Sequence, residues 1–160
     1  MFLAQFNIKA QEPKVVLITI DGLRWKEIFR GADSYLINNN DFTSSKNIYL
    51  EKFFVKDSIK RRELLMPFTW KVIKEKGIML GNRDEGNLVN LINKRLWSYP
   101  GYNEIITGSP DDANIINNDD INNPNVSIFE YINQQNGFKG EVAILGSWSG
   151  EDLRIEDWHN

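Results

Sequence analysis

A mostly parallel, doubly wound α/β sheet with helices on both faces is the fold class this sequence predicts, and three observations predict it. Three apolar runs, "KVVLITI" (14–20), "IMLGNR" (78–83) and "GEVAILGSW" (140–148), have the continuous aliphatic character of strands buried on both faces. Segments with helical spacing lie between them. Strand, turn and helix then recur in the alternation that builds parallel sheets, whose ligands gather at the carboxyl ends of the strands.

Taken in order, residues 1–13 read as a leader or signal-peptide remnant: a short apolar run without a basic start, interrupted by Gln5 and Asn7. Residues 14–160 then form one α/β unit. The first strand ends at Asp21-Gly22, and "LRWKEIFRGAD" spaces Leu23, Trp25, Ile28 and Phe29 as a short helix does, with Gly31 as its stop. Residues 33–50, rich in Asn, Asp and Ser, read as a long loop or inserted cover. Two helical patterns follow, "LEKFFVKDSIKRRELL" and "PFTWKVIKEKG", the second with Pro67 near its first turn and Gly77 past its end. Residues 109–125 are polar and turn-rich, hence a loop. Ser127 and Glu130 have capping-box spacing at the head of "SIFEYINQQNG", a helix that Gly137 closes.

Composition limits what such a chain does. With 160 residues, 41% apolar and 12% aromatic, it has the material for one core. A net charge of −3 leaves no basic field, and the "KRR" cluster at 60–62 sits beside Asp57 and Glu63, the pattern of a solvated helix face; nucleic acid is not an expected partner. Without cysteine there are no disulfides and no thiolate metal sites. No stretch approaches the roughly 18–20 apolar residues of a membrane span.

The chemistry concentrates in two places. Asp21 leaves the end of the first run, where open sheets place ligand groups, and its carboxylate suits a hard divalent cation; the competing reading is a plain Asp-Gly turn. Ser98 precedes a helical segment, 100–106, with Pro100 suited to its first turn. It reads either as a helix N-cap or as a nucleophile beside an anion-attracting helix start. A free serine needs a base or a metal, and the sole histidine, His159, lies second from the end, so activation by a cation is the remaining route. Arg24 and Trp25 follow Asp21 and read as a surface stem and a packing residue, or as substrate contacts.

"VVLITIDGLRWKEIFRGAD" resembles the opening of the alkaline phosphatase superfamily, in its nucleotide pyrophosphatase/phosphodiesterase-like branch and related bacterial phosphatase-like proteins. "SYPGYNEIITG" resembles that branch's nucleophile segment, and "SIFEYINQQNGFKGEVAILGSW" its next helix-strand unit, so the resemblance spans roughly residues 14–148. It implies an alkaline-phosphatase-like fold and a metal-dependent phosphoryl or sulfuryl ester hydrolase acting on small-molecule esters. Asp21 matches the family's first metal ligand, and Ser98 its metal-bound nucleophile. Asn118, or its neighbour Asn117, matches an asparagine that helps hold the phosphoryl oxygens, in a loop one residue shorter than the family's. Family members hold two divalent cations, typically Zn2+, through further Asp and His ligands from a C-terminal half. The resemblance thus implies the N-terminal part of a larger periplasmic or secreted enzyme, inactive by itself; a cytoplasmic chain, a non-catalytic phosphate-ligand-binding α/β module and a phosphomutase of the same superfamily stand as alternatives.

Overall fold

The computed structural model describes residues 14–146. The expected leader at 1–13, His159 and the last two residues of the 140–148 run lie outside the described residues. Helix accounts for 42% of the structure and no strand occurs among the described residues, so the doubly wound α/β sheet is not what this chain forms. The physical reason lies in the runs themselves. Residues 14–20 and 78–80 have no helix and no ladder partner among the described residues, and all their side chains but the half-buried Met79 stand in solvent: Val15 is 92% exposed and Ile78 85%. A β-branched run becomes a strand only when a neighbour takes its backbone N–H and C=O groups and its side-chain faces; residue pattern alone supplies neither.

Among the described residues seven α-helical pieces carry the fold: α1 (Trp25–Arg30), α2 (Ser34–Asn38), α3 (Lys46–Phe53), α4 (Ser58–Leu65), α5 (Lys74–Lys76), α6 (Ser98–Thr107) and α7 (Ile128–Asn133). A π-helical stretch, Thr69–Ile73, runs directly into α5, and a 3-10 turn covers Arg83–Glu85. Several local caps follow the sequence pattern, but Gly137 does not close α7, which ends at Asn133 with Gln134 as its C-cap. Gly31 closes α1 at φ +76°, and Ser127 and Glu130 form the capping box of α7. The 33–50 segment departs from the long loop expected: Asp33 accepts from the Tyr35 N–H at 2.9 Å and starts α2, and α3 begins at Lys46. The "LEKFFVKDSIKRRELL" pattern is split between α3 and α4, because Asp57 accepts from the Ile59 and Lys60 N–H groups and starts a new helix.

The basic cluster is no solvated face either. Arg61 Nε donates to Arg30 O at 2.9 Å and Arg62 Nη1 to Phe29 O at 3.4 Å, while Trp70 Nε1 donates to Ile28 O at 2.9 Å. Three side chains thus satisfy three carbonyls at the C-terminal end of α1, where the orphan C=O groups and the negative dipole end attract donors and cations. The Arg62 guanidinium lies 3.5 Å from the Trp70 ring centre, and Phe29 meets Trp70 edge-on at 6.0 Å. Phe29, Ala32, Ile37 and Trp70 are the buried apolar residues of this half. Tyr99, Ile106 and Ile115 are those of the other, built on α6, which packs on α7. Arg30 reaches across to Asp84, pairing α1 with the 3-10 turn.

Candidate functional site

Asp21 and Ser98 come together although 77 residues separate them. Asp21 and Gly22 form a turn, with Gly22 at φ +71° and its N–H held by Asp21 Oδ1 at 2.9 Å, and α1 begins three residues later. The turn reading of Asp21 is therefore correct as geometry, but it does not consume the carboxylate. Ser98 Oγ lies 3.2 Å from Asp21 Oδ2 and 3.4 Å from Oδ1.

Ser98 is not the cap of α6. Trp97 occupies the N-cap position with extended backbone and no capping side chain, and Ser98 is the first helical residue, its hydroxyl turned toward Asp21. The amides of this helix start are largely spent: the Tyr99 N–H donates to Asn118 Oδ1 at 2.9 Å, Pro100 has no N–H, and the Gly101 N–H bonds Trp97 O at 3.3 Å. The Ser98 N–H is left without a partner among the described residues. Of the two asparagines considered, Asn118 reaches the site, whereas Asn117 caps its own turn by accepting from the Asp119 N–H at 2.9 Å. With its oxygen on Tyr99, Asn118 keeps both N–H bonds of Nδ2 for another acceptor.

Arg24 and Trp25 are committed elsewhere. Arg24 pairs with Glu27 and with Asp33 at 3.0 Å, and the half-buried Trp25 ring lies under the guanidinium of Arg30 at 4.8 Å.

Two carboxylates unmarked by the sequence reading clamp the segment leading into Ser98. Glu104 of α6 accepts from the Ile92 N–H at 2.7 Å and from the Asn93 N–H and Nδ2 at 2.8 Å; Asp112 accepts from the Lys94 N–H at 3.1 Å. Desolvation pushes the Glu104 carboxyl up, but the three N–H donors from Ile92 and Asn93 outweigh it and hold it below the usual carboxylate range. A carboxyl lowered in the folded state contributes stability that is present above its unfolded value and lost as pH falls through the folded one. The protection of the Ile92 and Asn93 amides, corrected for intrinsic exchange rates, is therefore expected to fall progressively in acid as this carboxyl takes up its proton. In Glu104→Gln the exchange, corrected for intrinsic rates, should be fast at pH 6 already and flat with pH; a wild-type-like profile in that variant would remove Glu104 as the cause.

The buried Asn103 anchors the other flank. Its Oδ1 accepts from Asn123 Nδ2 at 3.0 Å and Asn125 Nδ2 at 3.3 Å, and its Nδ2 donates to Ser109 O at 3.3 Å. The signal was present in the sequence: Tyr99, Asn103 and Ile106 follow i, i+4, i+7 spacing, so a polar residue sits on the buried stripe of α6.

No family model matches the chain, and no curated protein and no solved structure matches it. Among the described residues no helix is long and apolar enough to cross a membrane. Nor is there, among them, a group of three or more His, Cys, Asp or Glu able to hold a metal ion. The Asp21–Ser98 pair fits part of a cation's shell: 3.2 Å is long for a hydroxyl-carboxylate hydrogen bond, yet falls within the roughly 2.9–3.4 Å that separates two oxygens on one tetrahedral or octahedral cation at about 2.0–2.1 Å.

Proposed function

We propose that Ser98 is the nucleophile, and Asp21 a metal ligand, of a phosphoryl or sulfuryl ester hydrolase similar to the phosphodiesterase-like branch of the alkaline phosphatase superfamily, of which this chain supplies the N-terminal part of the site. The observation that carries the reading is the approach of Ser98 Oγ to within 3.2 Å of Asp21 Oδ2 at the head of α6. The reading rests on this site and on the order of its two motifs, since the sheet implied by the resemblance is not formed. A divalent cation, typically Zn2+, would be held by Asp21 and Ser98 and would lower the proton affinity of the hydroxyl. Ser98 Oγ attacks the phosphorus or sulfur as its proton passes to solvent, the bond to the ester oxygen breaks and that oxygen leaves as the alcohol on taking up a proton, and water later cleaves the bond to Ser98 Oγ, restoring the hydroxyl and releasing phosphate or sulfate. The Ser98 N–H and Asn118 Nδ2 are the donors for the charge that builds on the transferred group, each worth about 3–4 kcal/mol in comparable oxyanion sites. A non-catalytic phosphate-holding module is the weaker reading, because the α6 start keeps one unpartnered N–H where such a module relies on several.

Two oxygens do not complete a catalytic centre, so the remaining ligands must come from residues other than those described. The 160-residue chain alone is expected to bind one Zn2+ weakly and to hydrolyse p-nitrophenyl phosphate no faster than buffer does. In calorimetric titration with Zn2+, Asp21→Asn should lower affinity about tenfold or more. Equal affinity in wild type and Asp21→Asn would exclude Asp21 as a ligand, and Ser98-dependent turnover by the 160-residue chain would overturn the expected inactivity.

A further inference from the structure

We infer that Asn103 is a positioning residue that closes the 109–125 loop into a ring and thereby holds Asn118 at Ser98; this rests on the reading of Ser98 and Asn118 just given. The loop has almost no regular structure and is rich in side chains that water would solvate equally well, so something must fix its path. Both of its stems end on one buried side chain: Ser109 O on Asn103 Nδ2, and the Asn123 and Asn125 amides on Asn103 Oδ1. Asp111 ties the stems a second time, accepting from Asn125 Nδ2 at 3.0 Å. A surface loop whose ends meet in this way resembles an Ω-loop, a class that is frequently functional.

Asn118 lies within that ring, and what fixes its height on α6 is found on either side of it. Ile115, fully buried, anchors one flank, and Tyr99 Oη donates to Ile121 O at 3.1 Å on the other. The Tyr99 N–H donation to Asn118 Oδ1 thus lies between these two anchors, with Asn103 closing the ring one helical turn below Tyr99. Asn103 is fully buried and all three of its contacts have matched donors and acceptors, the condition under which a buried polar network specifies one arrangement rather than several. Its expected effect on chemistry is indirect: it touches no reacting atom, and it sets where the Asn118 Nδ2 donor stands relative to the Ser98 hydroxyl.

Amide hydrogen exchange on the full chain tests this without metal or substrate. In Asn103→Ala the Tyr99 N–H should exchange about tenfold faster or more, while the Ile59 to Leu65 amides of α4 keep wild-type protection. Asn125→Ala, which removes two stem bonds, to Asn103 Oδ1 and to Asp111 Oδ2, and leaves Asn103 with its Ser109 and Asn123 partners, should accelerate Tyr99 exchange by a smaller factor and serves if Asn103→Ala does not fold. Unchanged Tyr99 protection in a folded Asn103→Ala chain, or in Asn125→Ala where Asn103→Ala does not fold, would overturn the positioning role. A second readout addresses the link to the site: with Zn2+ present, inorganic phosphate should shift the Asn118 Nδ2 resonances and the Ser98 amide in wild type, and in Asn103→Ala only the Ser98 amide. Equal Asn118 shifts in both proteins would also refute the inference. If phosphate shifts neither group in wild type, the hydrolase reading of Ser98 fails while the exchange result still decides the role of Asn103.

Discussion

Gly31→Ala is expected to cost about 3–5 kcal/mol and to unfold the α1–α4 half of the chain at denaturant concentrations that leave the wild type intact. Two effects add. The backbone of Gly31, φ +76° and ψ −162°, lies in a region that only glycine occupies without strain. A Cβ built there would also stand 2.5 Å from Arg61 C and 2.5 Å from Arg62 N, and these are backbone atoms that no rotamer change can move. Relief requires α4 to back away from α1, which breaks the donations of Arg61 and Arg62 to the carbonyls of Arg30 and Phe29. Because whole domains are stable by only about 5–15 kcal/mol, the variant should shift the urea midpoint followed by tryptophan fluorescence further than any exposed substitution would. Gly86→Ala supplies the comparison. Gly86 is left-handed at φ +73° but has no atom within 4 Å of its would-be Cβ, so strain alone remains, about 1 kcal/mol. Equal shifts in the two variants would show that the α1–α4 contact at Gly31 is not what makes glycine necessary.

The contrast between Gly31 and the 14–20 run shows what the sequence discloses. A helix stop is a local matter: the residue after Arg30 must take a positive φ, and glycine announces it. The same holds for Ser127 and Glu130, which satisfy each other's orphan groups over three residues. Val15 and Ile18 announce only that they would fit a sheet; whether a second segment lies alongside is decided by residues far away, and among the described residues none does. The 33–50 segment failed in the opposite sense. Its asparagines suggested a loop, but Asp33 is among the best helix starters and a five-residue helix needs little more than that start and one buried face, supplied by Ile37. At the site, motifs single out Asp21 and Ser98, and Asn118 comes only from the resemblance; the structure brings Ser98 to Asp21 and Asn118 to the Tyr99 N–H. Glu104 was not, since nothing local indicates that a carboxylate on α6 gathers the amides of residues 92 and 93. Asn103 was legible in principle as a polar intruder on an apolar stripe, a pattern that marks a network without naming its members.

Trp70→Ala is the second large loss expected, about 3–5 kcal/mol for emptying a site whose occupant is 8% exposed, and its consequence extends to Ser98. The indole joins three things at once: it donates to Ile28 O at 2.9 Å, meets Phe29 edge-on, and carries the Arg62 guanidinium on its face. Trp70→Phe separates these. It keeps an aromatic body for Phe29 and Arg62 but leaves the half-buried carbonyl of Ile28 without its donor, so it should cost about 1–3 kcal/mol. Asp21 is joined to this half through the turn into α1, whereas Ser98 belongs to α6 and meets Asp21 directly; Arg30–Asp84 and Arg83 on the Trp25 ring join α1 to the 3-10 turn. Loosening α1 therefore withdraws the carboxylate from the hydroxyl without disturbing the ring that Asn103 closes. Under conditions where Trp70→Phe remains folded, Zn2+ affinity should fall along with stability while Tyr99 amide protection stays at its wild-type value. Loss of both together would mean that α1 and α6 stand or fall as one unit, and retention of full Zn2+ affinity would mean that α1 does not set the position of Asp21.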